Sequence, residues 1–286
     1  MSADEGLDRW LAAAWAVEAE PFSVTVDGAA IACRGWNLAA ADLPLLILVH
    51  GYRAHARWWD HIAPSLTQAH RVVALDLSGM GDSDRRAAYS REQHGREISG
   101  VARALTNAPA VLVTHSFGSM GGLIACRQEP ERFSRLIIID SGIPTPADVG
   151  HQMSLSPRRV YPDAASALAR FRLIPPGLWP SAAVLDHIAR HALCEAADGW
   201  TWKFDEKAAA SLNLEAYYDK LFGIIVPVYV IHGEHSEIMT PERRAQLRAM
   251  APVQGEICIP ASHHHIMIEQ PIALVTALLG LLACKM

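Results

Sequence analysis

Short runs of consecutive apolar residues recur along the chain, and stretches with apolar positions at helical spacing separate them. Runs of this kind, rich in Val, Ile and Leu, are typical of parallel strands that are covered on both faces. They lie at 45–49, 72–75, 111–113, 136–139, 226–231 and 256–259. The helical patterns lie near 58–68, 91–106, 117–128, 241–250 and 271–283. This alternation predicts an α/β fold with a mostly parallel, doubly wound sheet.

The chain ahead of these runs has a different pattern. Residues 4–20 carry apolar positions at mostly helical spacing, which predicts an amphipathic helix. Residues 22–26 and 31–36 then alternate between apolar and polar around Asp27-Gly28, which is typical of a β-hairpin. With this hairpin, the predicted sheet has about eight strands.

The interval 142–223 interrupts the alternation after the sixth strand. It is rich in Pro, Ala and Arg and has helical patterns near 164–171, 182–191 and 207–221. We therefore predict an α/β core of residues 1–141 and 224–286, with residues 142–223 as a helical cap (lid) at the carboxyl edge of the sheet. The aromatic residues of this interval indicate an apolar roof over a pocket, unless they serve only to hold the cap together.

A turn that would expose a nucleophile is indicated where the apolar run at 111–113 meets the helical pattern at 117–128. The bend reads Thr-His-Ser-Phe-Gly and places Ser116 at its apex. A serine on such a turn needs small residues two positions to either side, because the strand and helix backbones nearly touch. Thr114 and Gly118 occupy these positions, so the motif is G-x-S-x-G with one departure. The alternative is an ordinary strand-to-helix loop with a serine N-cap.

Two further motifs follow predicted strands, where ligands bind in open α/β sheets. In His50-Gly51-Tyr52, the N–H of Tyr52 is expected to point into the crevice and, with the N–H of Phe117, to form an oxyanion hole. The motif at 76–83 reads D-x-x-G-x-G-x-S. Its glycine spacing fits neither a dinucleotide site nor a P-loop, so a structural turn is the preferred interpretation.

Three adjacent histidines at 263–265 follow the last predicted strand. A metal site is one interpretation, but neighbouring side chains diverge and no Cys or carboxylate accompanies them at ligand spacing. A catalytic base among them is therefore preferred. Glu269 and the helix start at Gln270-Pro271 follow.

In the order of these motifs, the chain resembles the α/β-hydrolase fold superfamily from residue 22 to its end. The shared features are the oxyanion turn, D-x-x-G-x-G-x-S, the nucleophile elbow, the cap and a terminal His-x-x-x-x-Glu. Counting back from Glu269 in the last pattern selects His264. The resemblance implies that Ser116 attacks a carbonyl and that His264 takes and returns its proton.

The acid that would orient His264 departs from the superfamily's pattern. The loop after the seventh strand usually reads G-x-x-D there, and this chain has Ser236 at the position of the aspartate. Glu237, one residue further, and Asp140, at the end of the sixth strand, are the two candidates. We lean to Asp140, because the chain from Ser116 to it spans one helix and the adjacent strand and so returns to the same sheet edge.

Composition limits the function further. Hydrophobic residues make up 51% and charged residues 19%, which indicates a compact globular protein. A formal net charge of −5 gives no reason to expect nucleic acid or a membrane surface as partner. The five cysteines are widely spaced, so neither a disulfide framework nor a zinc site is indicated and a reducing compartment is expected.

The acidic start lacks the features of a secretory signal, and the apolar run at 272–284 is too short to span a bilayer, so we expect a cytoplasmic protein.

The expected function is that of a serine esterase acting on an ester or related acyl bond of an apolar small molecule, without metal or cofactor. The serine at the elbow counts against dehalogenase or epoxide hydrolase chemistry, since superfamily members with those activities carry an aspartate there. Carbon–carbon bond hydrolases, thioesterases, amidases and acyltransferases remain alternatives, as does a binding protein with little turnover. The sequence indicates no oligomeric state.

Substrate contacts are expected from aromatic residues and from one arginine: Trp58, Trp59, Trp179 and Arg170. Arg170 together with Arg172 would clamp a substrate carboxylate, which would favour carbon–carbon bond hydrolysis. The alternative for these arginines is a solvated or structural role.

Overall fold

The computed structural model describes residues 3–143, 158–177, 181–208 and 221–284 of the 286-residue chain. Its strands are β1 Glu20–Val26, β2 Ala29–Trp36, β3 Leu45–Val49, β4 Arg71–Leu75, β5 Ala110–His115, β6 Phe133–Ile139, β7 Leu193–Ala196, β8 Gly199–Trp202, β9 Val228–Gly233 and β10 Val253–Ile259. Its α-helices are α1 Ala3–Trp15, α2 Arg91–Leu105, α3 Gly118–Gln128, α4 Ala164–Leu168, α5 Ala182–His191, α6 Pro241–Met250, α7 Ile266–Glu269 and α8 Pro271–Ala283.

Eight of these strands form one sheet in the order β1-β2-β4-β3-β5-β6-β9-β10. The first two pairings, β1 with β2 and β2 with β4, are antiparallel, and all the others are parallel. The predicted α/β fold with a mostly parallel sheet of about eight strands is therefore confirmed. The hairpin turn is at Asp27 and Gly28, both with positive φ, as a two-residue hairpin loop requires.

Both faces of the sheet are covered, which explains the continuous apolar runs. Along β3, Leu45, Ile47 and Val49 belong to one core cluster, and Leu46 and Leu48 belong to the other. The first cluster includes residues of α2, α3 and α6, and the second includes residues of α1 and α8. Because side chains alternate along a strand, only a strand buried on both faces can be apolar at every position.

The helix predicted near 58–68 is wrong. The structure has two short 3-10 turns there, Ala56–Trp59 and Ala63–Leu66. Pro64 lacks the N–H that an α-helix needs at this point and stands instead at the start of the second turn. The apolar spacing that resembled a helix comes from Trp59, Ile62 and Leu66, which are fully buried.

The inserted segment, residues 142–223, contributes α4, α5 and the hairpin β7–β8 outside the main sheet. The hairpin was not predicted, although Asp198-Gly199, at the turn and the first residue of β8, is a turn signal in the sequence. Part of the helical pattern at 207–221 lies outside the described residues. The segment contacts the core through α5, where Nε2 of His187 lies 3.0 Å from Oδ2 of Asp60.

Two further properties bear on the earlier predictions. The five cysteines are free thiols, with Cys33 and Cys126 buried and Cys258 and Cys284 exposed. Every helix of the described residues is too short or too polar to cross a lipid bilayer. A cytoplasmic location remains a prediction.

Candidate active site

Ser116 lies on a strained turn between β5 and α3. Its φ is +50°, a left-handed conformation that residues other than glycine rarely adopt. Two hydrogen bonds from the end of β6 hold the turn. The Ser116 N–H donates to the carbonyl of Ile139 at 3.2 Å, and the Ser141 hydroxyl donates to the carbonyl of Ser116 at 2.7 Å. The strain is therefore balanced by neighbouring backbone, and the Ser116 side chain is left partly exposed.

The small residues of the elbow are needed for close packing. A Cβ on Gly118 would lie 2.5 Å from the carbonyl oxygen of His50, so α3 begins in contact with the end of β3. Thr114 is tolerated in place of the usual glycine because Gly122 faces it, where a Cβ would lie 2.7 Å from the Thr114 methyl. The Thr114 hydroxyl donates to Ser119 Oγ at 2.9 Å.

The structure brings together three of the predicted catalytic residues. Nε2 of His264 lies 2.9 Å from Ser116 Oγ, and Nδ1 of His264 lies 2.7 Å from Asp140 Oδ2. His264 and Asp140 are buried. With Nδ1–H donating to the carboxylate, Nε2 is free to accept the serine proton.

Asp140 is held in place by the loop that follows β9. Its Oδ1 accepts the Gly233 N–H at 3.0 Å, and its Oδ2 accepts the Ser236 hydroxyl at 2.7 Å. Ser236, at the position where the superfamily's aspartate is expected, thus contacts the carboxylate that faces His264. Glu237, the alternative acid, is exposed on the same loop.

The loop that carries His264 is fixed by Glu269, which ends α7. Its carboxylate accepts the His263 N–H and lies 3.4 Å from His263 Nδ1. His115 Nε2 lies 3.1 Å from the His264 carbonyl oxygen. Burial lowers the pKa of His115 well below its usual value, with His264 and His265 adding to the effect, and it lowers the pKa of His265 to about 3. Both rings are therefore neutral, and neither of them opposes the protonation of His264.

Two backbone N–H groups are available beside Ser116. Within the described residues, the N–H groups of Tyr52 and Phe117 donate to no carbonyl or side chain. A Cβ on Gly51 would lie 3.2 Å from the Ser116 Cβ, so the Tyr52 loop passes directly next to the serine. This is the arrangement expected of an oxyanion hole.

His50 fixes the loop that presents Tyr52. Its Nδ1 lies 2.7 Å from the Gly51 carbonyl oxygen, and its Nε2 accepts the Leu77 N–H at 3.1 Å. Burial lowers the pKa of His50 to about 4, so the ring stays neutral and keeps this donor and acceptor pattern.

The D-x-x-G-x-G-x-S motif is a structural turn, as preferred from the sequence. Asp76 accepts the Ala56 N–H at 2.6 Å and the Asp82 N–H at 2.8 Å, which ties the turn to the loop after β3. A Cβ on Gly81 would lie 2.2 Å from the Asp76 carboxyl carbon, so only glycine fits there. Burial raises the pKa of Asp76 to about 6.

A cavity of about 440 Å³ opens beside this site. Its inner wall includes Tyr52, Trp58 and His265; the ring of Tyr52 packs on Phe117, and that of Trp58 stacks on His115. Residues of the inserted segment form much of the remaining lining. The cavity is less apolar than the sequence predicts, because four arginines share the lining with the aromatic rings: Arg53, Arg159, Arg170 and Arg172.

The predicted substrate contacts fall into three groups. Trp58 and Arg170 line the cavity. Trp59 is fully buried in the core, so its role is packing and the prediction that it contacts substrate finds no support. Trp179 lies outside the described residues.

One group of side chains has the spacing of metal ligands. In the described part of the chain, His115, His264 and His265 offer ligand atoms within 4.8 Å of one another. Both ring nitrogens of His264 already lie within hydrogen-bond distance of Asp140 and Ser116. A metal would have to displace one of these contacts, so the arrangement with Ser116 accounts better for the cluster.

Three residues of the site were not identified from the sequence as part of it: Arg53, Ser141 and Ser236. Arg53 directly follows the His-Gly-Tyr motif, and Ser141 directly follows Asp140. Ser236 stands where the superfamily's aspartate is expected. This position in the G-x-x-D pattern was the signal that its side chain would lie close to His264 and its acid.

Comparison with known proteins establishes the family. The model of the alpha/beta hydrolase family matches residues 46–278, which is most of the chain. The chain therefore belongs to the alpha/beta hydrolase family.

Individual relatives within this family are distant. The chain is 26% identical over 257 residues to epoxide hydrolase 3 of Xenopus tropicalis, covering 80% of this chain and 68% of that protein. It is 22% identical over 247 residues to 2-(acetamidomethylene)succinate hydrolase of Mesorhizobium japonicum, covering 80% and 84%. Among solved structures, the thioesterase domain from the curacin biosynthetic pathway superposes with a TM-score of 0.75 at 24% identity, covering 91% of this chain and 99% of that one.

Proposed function

We propose that this protein is a serine hydrolase that cleaves an ester or related acyl bond through a Ser116–His264–Asp140 triad. The observation that carries the proposal is the continuous chain of contacts, 2.9 Å from Ser116 Oγ to His264 and 2.7 Å from His264 to Asp140. The substrate is a small molecule with an apolar part, since aromatic rings line much of the cavity.

In the proposed mechanism, Ser116 Oγ attacks the carbonyl carbon while Nε2 of His264 takes the serine proton. Asp140 stabilises the imidazolium, and the N–H groups of Tyr52 and Phe117 stabilise the oxyanion. The tetrahedral intermediate collapses to an acyl-enzyme as His264 returns the proton to the leaving alcohol. Water, activated by His264, then releases the acid and restores Ser116.

The distant relatives do not fix the bond that is cleaved. Epoxide hydrolysis is not proposed although two relatives carry that name, because Ser116 stands where members resembling epoxide hydrolases carry an aspartate. Carbon–carbon bond hydrolysis is the second candidate, favoured by the presence of Arg170 and Arg172 in the cavity lining. Thioesterase and acyltransferase activity use the same groups.

Active-site labelling tests the central step. We expect a fluorophosphonate probe to label the wild-type protein quickly at Ser116, because only an activated serine reacts at a useful rate. Ser116→Ala and His264→Ala should lose labelling and lower turnover of p-nitrophenyl esters by about 10³-fold or more. His263→Ala is the matched control, since this neighbouring side chain faces Glu269, and it should cost much less. A folded protein that is not labelled would favour a binding protein over an enzyme.

A carbon–carbon substrate run beside the ester panel separates the two candidates. Turnover of esters alone supports the first proposal. Preferred turnover of the carbon–carbon substrate, lost equally in Ser116→Ala, would move the function to the second.

A further inference from the structure

The cavity beside Ser116 has a strongly unbalanced charge. Among the described residues, four arginines line it together with a single carboxylate, that of Glu206. In the described part of the chain, the ion pairs formed by arginines and lysines involve none of the four. Like charges around one cavity repel each other, and an anion that enters the cavity relieves this repulsion.

Of these four arginines, Arg53 is the one that is adjacent in sequence to a residue of the proposed oxyanion hole. It directly follows Tyr52, and its own φ is +55°, a left-handed conformation that is strained for a residue other than glycine. Its guanidinium carbon lies 5.2 Å from the centre of the Tyr52 ring and 4.4 Å from the centre of the Phe204 ring. The side chain is thus held by two aromatic rings, one from the core and one from the inserted segment.

Aromatic contacts occupy the faces of a guanidinium and leave its N–H edge available. Nε of Arg53 is buried and has no hydrogen-bond partner among the described residues. A cationic group that is buried without a hydrogen-bond partner or counter-ion is costly, and an anion in the cavity beside the guanidinium lowers this cost. A planar N–H edge matches the two oxygens of a carboxylate, or two oxygens of a phosphate group, better than it matches a neutral ligand.

We propose that Arg53 makes the enzyme selective for acyl substrates that carry a second, anionic group, with a carboxylate as the expected form. Arg159, Arg170 and Arg172 surround the same cavity from the inserted segment and attract the anion. The substrate class is then the half-esters of short dicarboxylic acids and similar acyl compounds, with the apolar chain between the two ends lying against the aromatic rings. This inference rests on the proposed serine hydrolase function and adds the substrate class to it.

The test compares three methyl esters by acid release at constant pH. Monomethyl glutarate carries the carboxylate, methyl 5-methylhexanoate replaces it by a neutral group of similar shape, and methyl 4-phosphonobutanoate replaces it by a phosphonate. We expect kcat/KM for monomethyl glutarate to exceed that of the neutral ester by about tenfold or more. A ratio near or below one overturns the proposal. A larger ratio for the phosphonate ester assigns the pocket to phosphate-type anions and overturns the carboxylate assignment.

Variants connect the preference to Arg53. In Arg53→Gln, the ratio of the two kcat/KM values should fall by about tenfold. Arg190→Gln is the matched control, because Arg190 lies on α5 of the same inserted segment, pairs with Asp186 and does not line the cavity. It should keep the wild-type ratio. A ratio unchanged in Arg53→Gln overturns the proposal; if that variant does not fold, Arg170→Gln is measured instead against the same expectation.

Calorimetry with glutarate separates this proposal from the proposed activity. Glutarate should bind the Ser116→Ala variant, and Arg53→Gln introduced into that variant should weaken the binding by about tenfold. Binding without ester turnover in the wild type would leave the anion site standing and overturn the hydrolase. Ester turnover without glutarate binding and without a preference for the charged ester would support the hydrolase and overturn the anion site.

Discussion

At the scale of single residues, the acid that faces His264 is Asp140, and Ser236 donates a hydrogen bond to it. These two residues come from the ends of two neighbouring strands. Asp140 follows β6, Ser236 follows β9, and these strands pair in parallel. The Asp140 N–H donates to the Ile231 carbonyl at 2.8 Å, and φ of Asp140 is +44°. This left-handed conformation suits Asp better than most residues and turns the carboxylate toward the histidine.

The first prediction concerns this acid. Asp140→Asn should lower kcat by about 10⁴-fold, because an amide favours the wrong tautomer of His264 and cannot stabilise the imidazolium. Glu237→Gln should leave turnover close to wild type, since Glu237 is exposed. Steady-state kinetics on one ester measure both, with circular dichroism to verify folding. Loss of activity in Glu237→Gln but not in Asp140→Asn would contradict the assignment.

A double variant is a further control. Ser236 Oγ lies 2.7 Å from the Asp140 oxygen that faces His264, so an aspartate at 236 has the reach to replace it. Asp140→Asn with Ser236→Asp should regain about tenfold or more over Asp140→Asn alone. No recovery in the folded double variant would indicate that the position at the end of β6 is essential for the acid.

The sequence predicted Ser116 and His264 but left the acid open, for a physical reason. The serine and the histidine are constrained by local patterns, the elbow and the distance to Glu269. Which carboxylate meets His264 depends instead on the backbone conformation of Asp140 and on the bend of the loop after β9. Neither is encoded in residue spacing.

At the scale of elements, the site depends on the close approach of α3 to β3. The glycines of α3 and α8 allow a direct comparison. A Cβ on Gly118 would lie 2.5 Å from a backbone oxygen, whereas Gly280, in the interior of α8, has nothing within 4 Å of that position. An alanine side chain at 118 would therefore clash with backbone, whereas an alanine side chain at 280 would extend into open space.

The second prediction uses this pair. Gly118→Ala should reduce the free energy of unfolding by about 2 kcal/mol or more, because backbone must shift to make room. Gly280→Ala should raise it by about 0.5–1 kcal/mol through helix propensity alone. Urea unfolding followed by circular dichroism measures both. Equal effects of the two substitutions would show that the elbow is less tightly packed than described.

Periodicity predicted most of these elements, because the central strands are apolar on both faces and α2, α6 and α8 have capping or proline signals at their starts. Ser90 and Thr240, for example, accept a hydrogen bond from an N–H in the first turn of α2 and α6. The prediction from periodicity was wrong at 58–68, where the apolar residues belong to two short 3-10 turns and not to an α-helix. It also missed β7–β8, which is too short for a strong alternating pattern.

At the scale of the whole molecule, burial of many histidines makes stability depend on pH. Burial lowers the pKa of one pair to about 4, namely His50 and His61. It lowers the pKa of a second group to about 3, namely His55, His94 and His265. These rings are neutral in the folded protein across the whole range in which an unfolded chain protonates them.

The third prediction follows from the sign of these shifts. Since each folded pKa lies below the unfolded value of 6.5, unfolding takes up protons, and the stability that is present above pH 6.5 is lost as the pH falls toward 4. Each such histidine contributes about 1.4 kcal/mol per pH unit in this window. The buried Asp76, with its pKa raised to about 6, works in the opposite direction and offsets one of them.

Chemical unfolding at several pH values between 5 and 8 tests this expectation. The free energy of unfolding should decrease steadily from pH 7 to pH 5, with a slope that corresponds to several protons. A flat or rising curve would contradict the neutral state of the buried rings. This pH dependence could not be predicted from the sequence, because the positions of histidines along a chain do not show which of them fold into the interior. Of the arginines that line the cavity, Arg170 and Arg172 were indicated by the sequence, but Arg53 and Arg159 were not.

The thiol of Cys126 is buried on α3, and its chemical modification can be used to measure the motion of this helix. A thiol reacts as its thiolate, and burial raises the pKa of Cys126 and shields it from reagents. The exposed thiols of Cys258 and Cys284 should react with a disulfide reagent at once, whereas Cys126 should react only when α3 separates from the sheet. Cys33 on β2 is buried as well, so the measurement uses a Cys33→Ala variant. In that variant, the slow phase of thiol modification measures how often the helix behind Ser116 opens, without any introduced label.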